Sequence, residues 1–238
     1  MTDSSVKPLR IYAPGSLCPI QAAILAGFHA AVDGVEVAFA PPAYSGVLAQ
    51  QILDGAPADV FISANTRYLT DLQAAGLAPQ PQPLARNRLL LVSRPDLQPP
   101  LTDLAGFVRD GLRIVVPPPV DPLGEYALEM VDRAGLAAAM ARKRERGEVR
   151  EHLASLGPWL ESGEVDASVL YASMAGSFPA LRITELPPDL DIHERVVFAI
   201  GVIEREGQSH PLARTFVDWM LGDDGRTVLQ EGGFLPLS

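Results

Sequence analysis

An α/β fold in two lobes, each a mainly parallel sheet flanked by helices, follows from three observations on this 238-residue sequence. Short apolar runs alternate with amphipathic stretches, the order expected of a parallel sheet with helices on its faces. Turns rich in Pro, Gly and Ser separate these runs at regular intervals. A Pro- and Gln-rich segment at residues 75–85 (AGLAPQPQPLA) breaks the pattern and reads as a crossing between lobes.

The elements follow in order. Leu9 to Ala13 (LRIYA) is an apolar strand closed by Pro14-Gly15; after Ser16, residues 17–32 carry Ile20, Ile24, Leu25 and Phe28 at helical spacing. A strand over 35–40 meets Pro41-Pro42, and Ser45 opens a helix with Val47, Leu48, Ile52 and Leu53 on one face. Residues 59–63 (DVFIS) form a third strand, followed by a helix over about 65–75 that stops at Gly76. Beyond the crossing come strands at 88–93 and 112–116, then a helix over about 123–134 whose start is marked by Asp121 as N-cap and Pro122 at the first position. The mixed-sign run 141–151 (ARKRERGEVRE) reads as a solvated turn between helices. A helix from about Val149 to Ser162 and a strand at 167–171 follow. Two more strands lie between Arg182 and Glu204, and two closing helices span 210–220 and 224–231. A second crossing near 195–200 returns the tail to the first lobe, so the expected division is 1–85 plus 198–238 against 86–197.

Composition narrows the function. Apolar residues make up 47% and charged residues 20%, which suits a folded core and argues against disorder. A net charge of −10 disfavours a nucleic-acid or anionic-membrane surface. No apolar run reaches the ~20 residues of a membrane span. The single cysteine, Cys18, excludes an intrachain disulfide, and it reads as a small buried thiol rather than a nucleophile. The four histidines lack metal-ligand spacing, so neither a resident metal nor a cofactor is expected. The opening MTDSSVKPLR lacks the apolar stretch of a secretory signal. A cytoplasmic location and a form whose export signal has been removed both stay open.

The chemistry concentrates in the turns. In an open parallel sheet, ligands sit outside the carboxyl ends of the strands, where loops become helix N-termini. Such ends present unpaired N–H donors and a partial positive charge, an anion site in waiting. Three early turns carry Ser16, Ser45 and Ser63-Ala64, each of which either caps its own helix or offers donors to an anion. Gly-x-Ser-x-Gly, Gly-Lys-Ser/Thr and Gly-x-Gly-x-x-Gly motifs are all missing, and Asp103, Asp110 and Glu151 have no spacing that makes an acid/base pair. The expectation is a non-enzyme.

A resemblance then covers nearly the whole chain in order. The segment Leu48–Gly76, with GAPADVFISA at its centre, resembles the most recognisable stretch of periplasmic molybdate-binding proteins, the solute receptors of ABC importers. IYAPGSL, PLGEYALEMV, VDASVLYAS and HPLARTFVDWMLGDDGRTVLQEGGF are similar to other stretches of that family. The resemblance implies a type II periplasmic binding fold that holds a tetrahedral oxyanion, molybdate or tungstate, in the interlobe cleft and delivers it to an ABC importer permease as a monomer. Carried over by position, Ser16 and Ser45 would give hydroxyl and backbone donors, and Ala64 a backbone N–H. Leu123 and Val149 would give backbone N–H groups at helix starts, and Tyr171 its phenolic hydroxyl. Alternatives are a receptor or cytoplasmic sensor for another small anion or an organic ligand. The chain departs from the family at Met174, where Asp is usual, at Leu123, where Ala is common, and at Pro14-Gly15, which replaces two alanines.

Overall fold

The computed structural model describes residues 7–152 and 155–237. In chain order the strands are β1 (Leu9–Tyr12), β2 (Val37–Phe39), β3 (Val60–Ser63), β4 (Gln82–Arg86), β5 (Leu89–Ser93), β6 (Ile114–Val115), β7 (Val149–Arg150), β8 (Ala167–Tyr171), β9 (Arg182–Thr184) and β10 (Val197–Val202). The helices are α1 (Gln21–Ala31), α2 (Ser45–Leu53), α3 (Arg67–Ala74), α4 (Leu104–Phe107), α5 (Pro122–Arg133), α6 (Ala137–Glu145), α7 (Leu156–Glu161), α8 (Ala213–Leu221) and α9 (Asp223–Glu231). They sort into two compact units, Met1–Arg86 with Val197–Ser238, and Asn87–Val196.

The first unit is built on a five-stranded sheet of order β2-β1-β3-β10-β4. β1 runs parallel to β2 and β3, whereas β10 is antiparallel to β3 and β4. β3 (VFIS) is buried along its whole length, as a central strand covered on both faces must be. On one face Leu48, Ile52, Phe61, Leu69 and Leu72 form a core between α2, α3 and the sheet. Helix α3 comes so near β10 that a Cβ on Gly201 would stand 2.8 Å from Leu69. Elsewhere in the unit α1 meets α8, where Phe28 and Phe216 stack edge to face with centroids 5.0 Å apart.

The second unit has a five-stranded sheet of order β7-β6-β8-β5-β9. β6 is parallel to β7 and β8, and β5 is antiparallel to β8 and β9. β5 and β8 are fully buried, and Val92, Val115, Leu156, Leu160, Val165 and Leu170 form a core with α7. The α/β class thus holds. Each sheet is mixed rather than mainly parallel, because every antiparallel pairing involves β5 or β10, the strands that begin just after the chain leaves one unit for the other.

Three local expectations are corrected. The stretch expected as a helix from Leu17 starts as a 3-10 helix, Gly15–Ile20, and α1 begins only at Gln21, since Pro19 cannot donate to an α-helical ladder. The expected helix from Val149 is instead β7, whose Val149 pairs with Ile114; α7 begins at Leu156, and residues 153–154 of the expected helix lie outside the described residues. The charge run is not wholly a solvated turn: α6 takes its first half and fully buries Lys143, whose Nζ donates to Glu148 at 2.9 Å and to the Leu112 carbonyl. Among the described residues no helix is long and apolar enough to cross a membrane.

Candidate functional site

The first unit brings its three expected turns to one edge. Ser16 follows β1, Ser45 follows β2 and Ala64 follows β3, and these three strands are parallel neighbours in the order β2-β1-β3. All three residues therefore sit at the carboxyl edge of the same sheet, where a doubly wound fold places its ligand. Ser16 lies in the 3-10 turn, held by Leu17 N–H donating to the Pro14 carbonyl at 3.0 Å. Its Oγ is buried and has no hydrogen-bond partner among the described residues. A buried hydroxyl without a partner costs about 1–3 kcal/mol, so its retention points to a guest that uses it.

Ser45 is the first residue of α2 and is fully buried. Its Oγ accepts the Ala64 amide at 3.1 Å, which ties the second and third turns together. The Ala64 turn is fixed from behind: Ser63 Oγ donates to Asn65 Oδ1 at 3.4 Å and accepts the Asn65 amide at 3.3 Å, and both side chains are buried. Of the departures in this unit, Gly15 is conformationally undemanding, because a Cβ there would lie 4.0 Å from Pro42.

In the second unit β6 and β8 are parallel neighbours, so the loop after β6 and the end of β8 share a carboxyl edge. That edge carries Leu123, the second residue of α5, and Tyr171, the last residue of β8. Close packing fixes the start of α5. A Cβ on Gly124 would fall 2.1 Å from the Pro117 carbonyl oxygen and 2.6 Å from that of Pro118, so only glycine lets the loop and helix meet. Tyr126, one turn along, donates its hydroxyl to the Arg195 carbonyl at 3.2 Å. Tyr171 is buried, and burial, followed by the negative charge of Asp121, pushes its phenol well above the usual range.

Val149 does not join this edge. Val149 and Ala167 both pair with Ile114, which sets Val149 level with the first residue of β8, four residues before Tyr171. It is a strand residue and not a helix-start donor. Met174 packs against the apolar cluster around Leu156 and Leu160, so the missing aspartate is replaced by apolar contact. Cys18 is exposed, contrary to the buried thiol expected, and partial burial pushes its thiol pKa up, away from that of an activated nucleophile.

The charge of one side chain beside these candidates was overlooked at the sequence level. Asp121 Oδ1 accepts the Leu123 amide at 3.0 Å, the N-cap bond that the sequence foretold. The same carboxylate thereby occupies one of the donors assigned to an anion and places a titratable acid beside the others. Burial raises its pKa from the ordinary carboxylate value to about 6, against the opposing pull of the Leu123 amide. The signal was legible, since an acidic residue stands directly before Pro-x-Gly-x-Tyr, on a turn expected to offer donors.

Residues 9–235 match a family described as bacterial extracellular solute-binding protein. The molybdate-binding protein ModA of Mycobacterium tuberculosis is 32% identical over 229 residues, 94% of this chain and 83% of the relative. The periplasmic molybdate-binding protein of Azotobacter vinelandii has a similar structure, with a TM-score of 0.78, 20% identity and coverage of 95% of this chain and 98% of that one. The sulfate-binding protein SubI of Mycobacterium tuberculosis superposes with a TM-score of 0.75 at 15% identity, covering 97% and 87% of the two chains. At such identities the two structures speak to the fold alone.

Proposed function

The chain belongs to the bacterial extracellular solute-binding protein family, and from that premise we propose that it captures a tetrahedral oxyanion, molybdate or tungstate, and delivers it to an ABC importer permease from the periplasmic side. Capture is binding without a chemical step. Ser16, Ser45 and Ala64 supply hydroxyl and amide donors from the first unit, the Ala64 amide being shared with Ser45 Oγ, and the Leu123 amide, shared with Asp121 Oδ1, and the Tyr171 hydroxyl supply them from the second. Support comes from the M. tuberculosis and A. vinelandii relatives, whose names state molybdate binding. The observation that carries the reading is the buried, unpartnered Ser16 hydroxyl at the carboxyl edge shared with Ser45 and Ala64.

The physical logic is dipole solvation. A dianion leaving water loses hydration worth tens of kcal/mol in the Born limit. Oriented N–H and O–H groups restore it bond by bond, at about 1.5–3 kcal/mol each toward a charged acceptor. None of the five donors belongs to Lys or Arg, so selectivity rests on where fixed dipoles point and on the length of the bonds from the central atom to oxygen. The net charge of −10 opposes approach only weakly, because screening acts within about 8 Å at physiological salt.

Thermal unfolding with molybdate, tungstate, sulfate and phosphate tests this. An oxyanion supplied at about 1,000 times its dissociation constant stabilises the native state by about 4 kcal/mol, read as a rise in Tm. Absence of any rise with all four anions overturns the reading.

A further inference from the structure

Resting on the oxyanion reading, we propose that Asn87 is a positioning residue for capture that acts through Tyr171: its buried carboxamide fixes the backbone that carries the Tyr171 hydroxyl. Every contact involved lies within the second unit. β5 and β8 pair antiparallel from Ser93 with Ala167 to Leu89 with Tyr171, and the Ala172 amide then donates to the Arg88 carbonyl at 2.9 Å. One residue further, the same register would set Asn87 opposite Ser173, but β8 has ended and Ala172–Ser177 turn as a 3-10 helix. The Asn87 side chain takes over at that point. Its Nδ2 donates to Ser173 Oγ at 2.9 Å, and its Oδ1 accepts the Arg88 amide at 2.9 Å and the Ser173 amide at 3.5 Å.

Asn87 is fully buried and Ser173 is buried, so these bonds are shielded from water. A carboxamide in such a place is destabilising unless both its ends are engaged, and a satisfied one holds its neighbours rigidly. Its orientation follows from chemistry: two backbone N–H groups face one end, so that end is the oxygen. Asn87 is also the first residue of the second unit, and its own amide donates to the carbonyl of Val196, the last residue, at 3.0 Å. One residue thus ties the points where the chain enters and leaves the unit to the turn that follows Tyr171. The Tyr171 side chain is buried and close-packed, so its backbone decides where the hydroxyl lies. The sheet holds that backbone as far as Tyr171, and Asn87 holds it beyond.

A double-mutant cycle, read by titration calorimetry with molybdate and with tungstate, tests this. Ser173→Ala removes the acceptor of the Asn87 Nδ2 bond, and Tyr171→Phe removes the hydroxyl through which Asn87 acts. The expected result is that Ser173→Ala weakens binding by about three- to thirtyfold in the wild-type background and weakens it no further in Tyr171→Phe. A purely structural contact would lower Tm and leave affinity unchanged, or would weaken binding equally in both backgrounds. Either result overturns the positioning role while leaving oxyanion capture intact, as does a Tyr171→Phe protein that binds as tightly as the wild type. No binding of molybdate or tungstate by the wild type overturns the oxyanion reading and this proposal with it. Should Ser173→Ala fail to fold, Ser173→Cys, close in size but a weak acceptor, takes its place in the cycle.

Discussion

The two units use the same device, a turn at the carboxyl edge of a parallel strand pair, but they equip it with different charges. In the first unit the edge is neutral: Ser16, Ser45 and the Ala64 amide, backed by Ser63 and Asn65. In the second unit the edge carries an ionisable acid, Asp121, beside a buried phenol, Tyr171. The first edge offers only neutral groups, with the Ala64 amide given to Ser45 Oγ, whereas the second sets a carboxyl against the Leu123 amide.

The largest expected effect breaks the second edge alone. Gly124→Ala forces a Cβ against the Pro117 carbonyl and costs about 3 kcal/mol, at the upper end for overpacking. The check is a fall in Tm with lost protection in amide exchange confined to the second unit around α5, and the first unit unaffected. A smaller effect sharpens the electrostatic contrast. Asp121 has a folded-state pKa of about 6, above its ordinary value, so ionisation penalises the folded protein. That penalty is absent below about pH 4, develops as pH rises to 6, and is complete above. Asp121→Asn therefore stabilises the protein by about 2 kcal/mol at pH 8 and by nothing near pH 4, measured by urea unfolding at the two pH values. The smallest effect belongs to the first edge: Gly15→Ala has room for its methyl and changes stability by less than about 0.5 kcal/mol in thermal unfolding.

How much of this was legible in the sequence depended on how local the determinant was. β1 and β3 are apolar runs ended by turn residues, and α5 opens with a cap and a proline, so near neighbours in the chain suffice to specify them. β7 could not be read this way. It is two residues long, sits in a charged stretch, and exists because Val149 finds Ile114, 35 residues earlier in the chain. Lys143 was hidden for the same reason: its partners, the Leu112 carbonyl and Glu148, make a buried lysine tolerable only once the chain has folded. The donor turns after β1, β2 and β3 were visible as small-residue turns, but their convergence is a consequence of strand order, which shows in the Ala64 to Ser45 bond. Asp121 was read correctly as a cap, while its charge went unused because caps are ordinarily well solvated and this one is partly buried.

The neutral edge holds the central claim, and the Ser16 hydroxyl is its least encumbered member. Calorimetric titration of Ser16→Ala with molybdate beside the wild type tests it most directly. Loss of a charge-assisted hydrogen bond predicts affinity weakened by about 1.5–3 kcal/mol, roughly tenfold to a hundredfold, with Tm of the free protein unchanged or slightly higher. Molybdate binding as tight in Ser16→Ala as in the wild type would contradict the account.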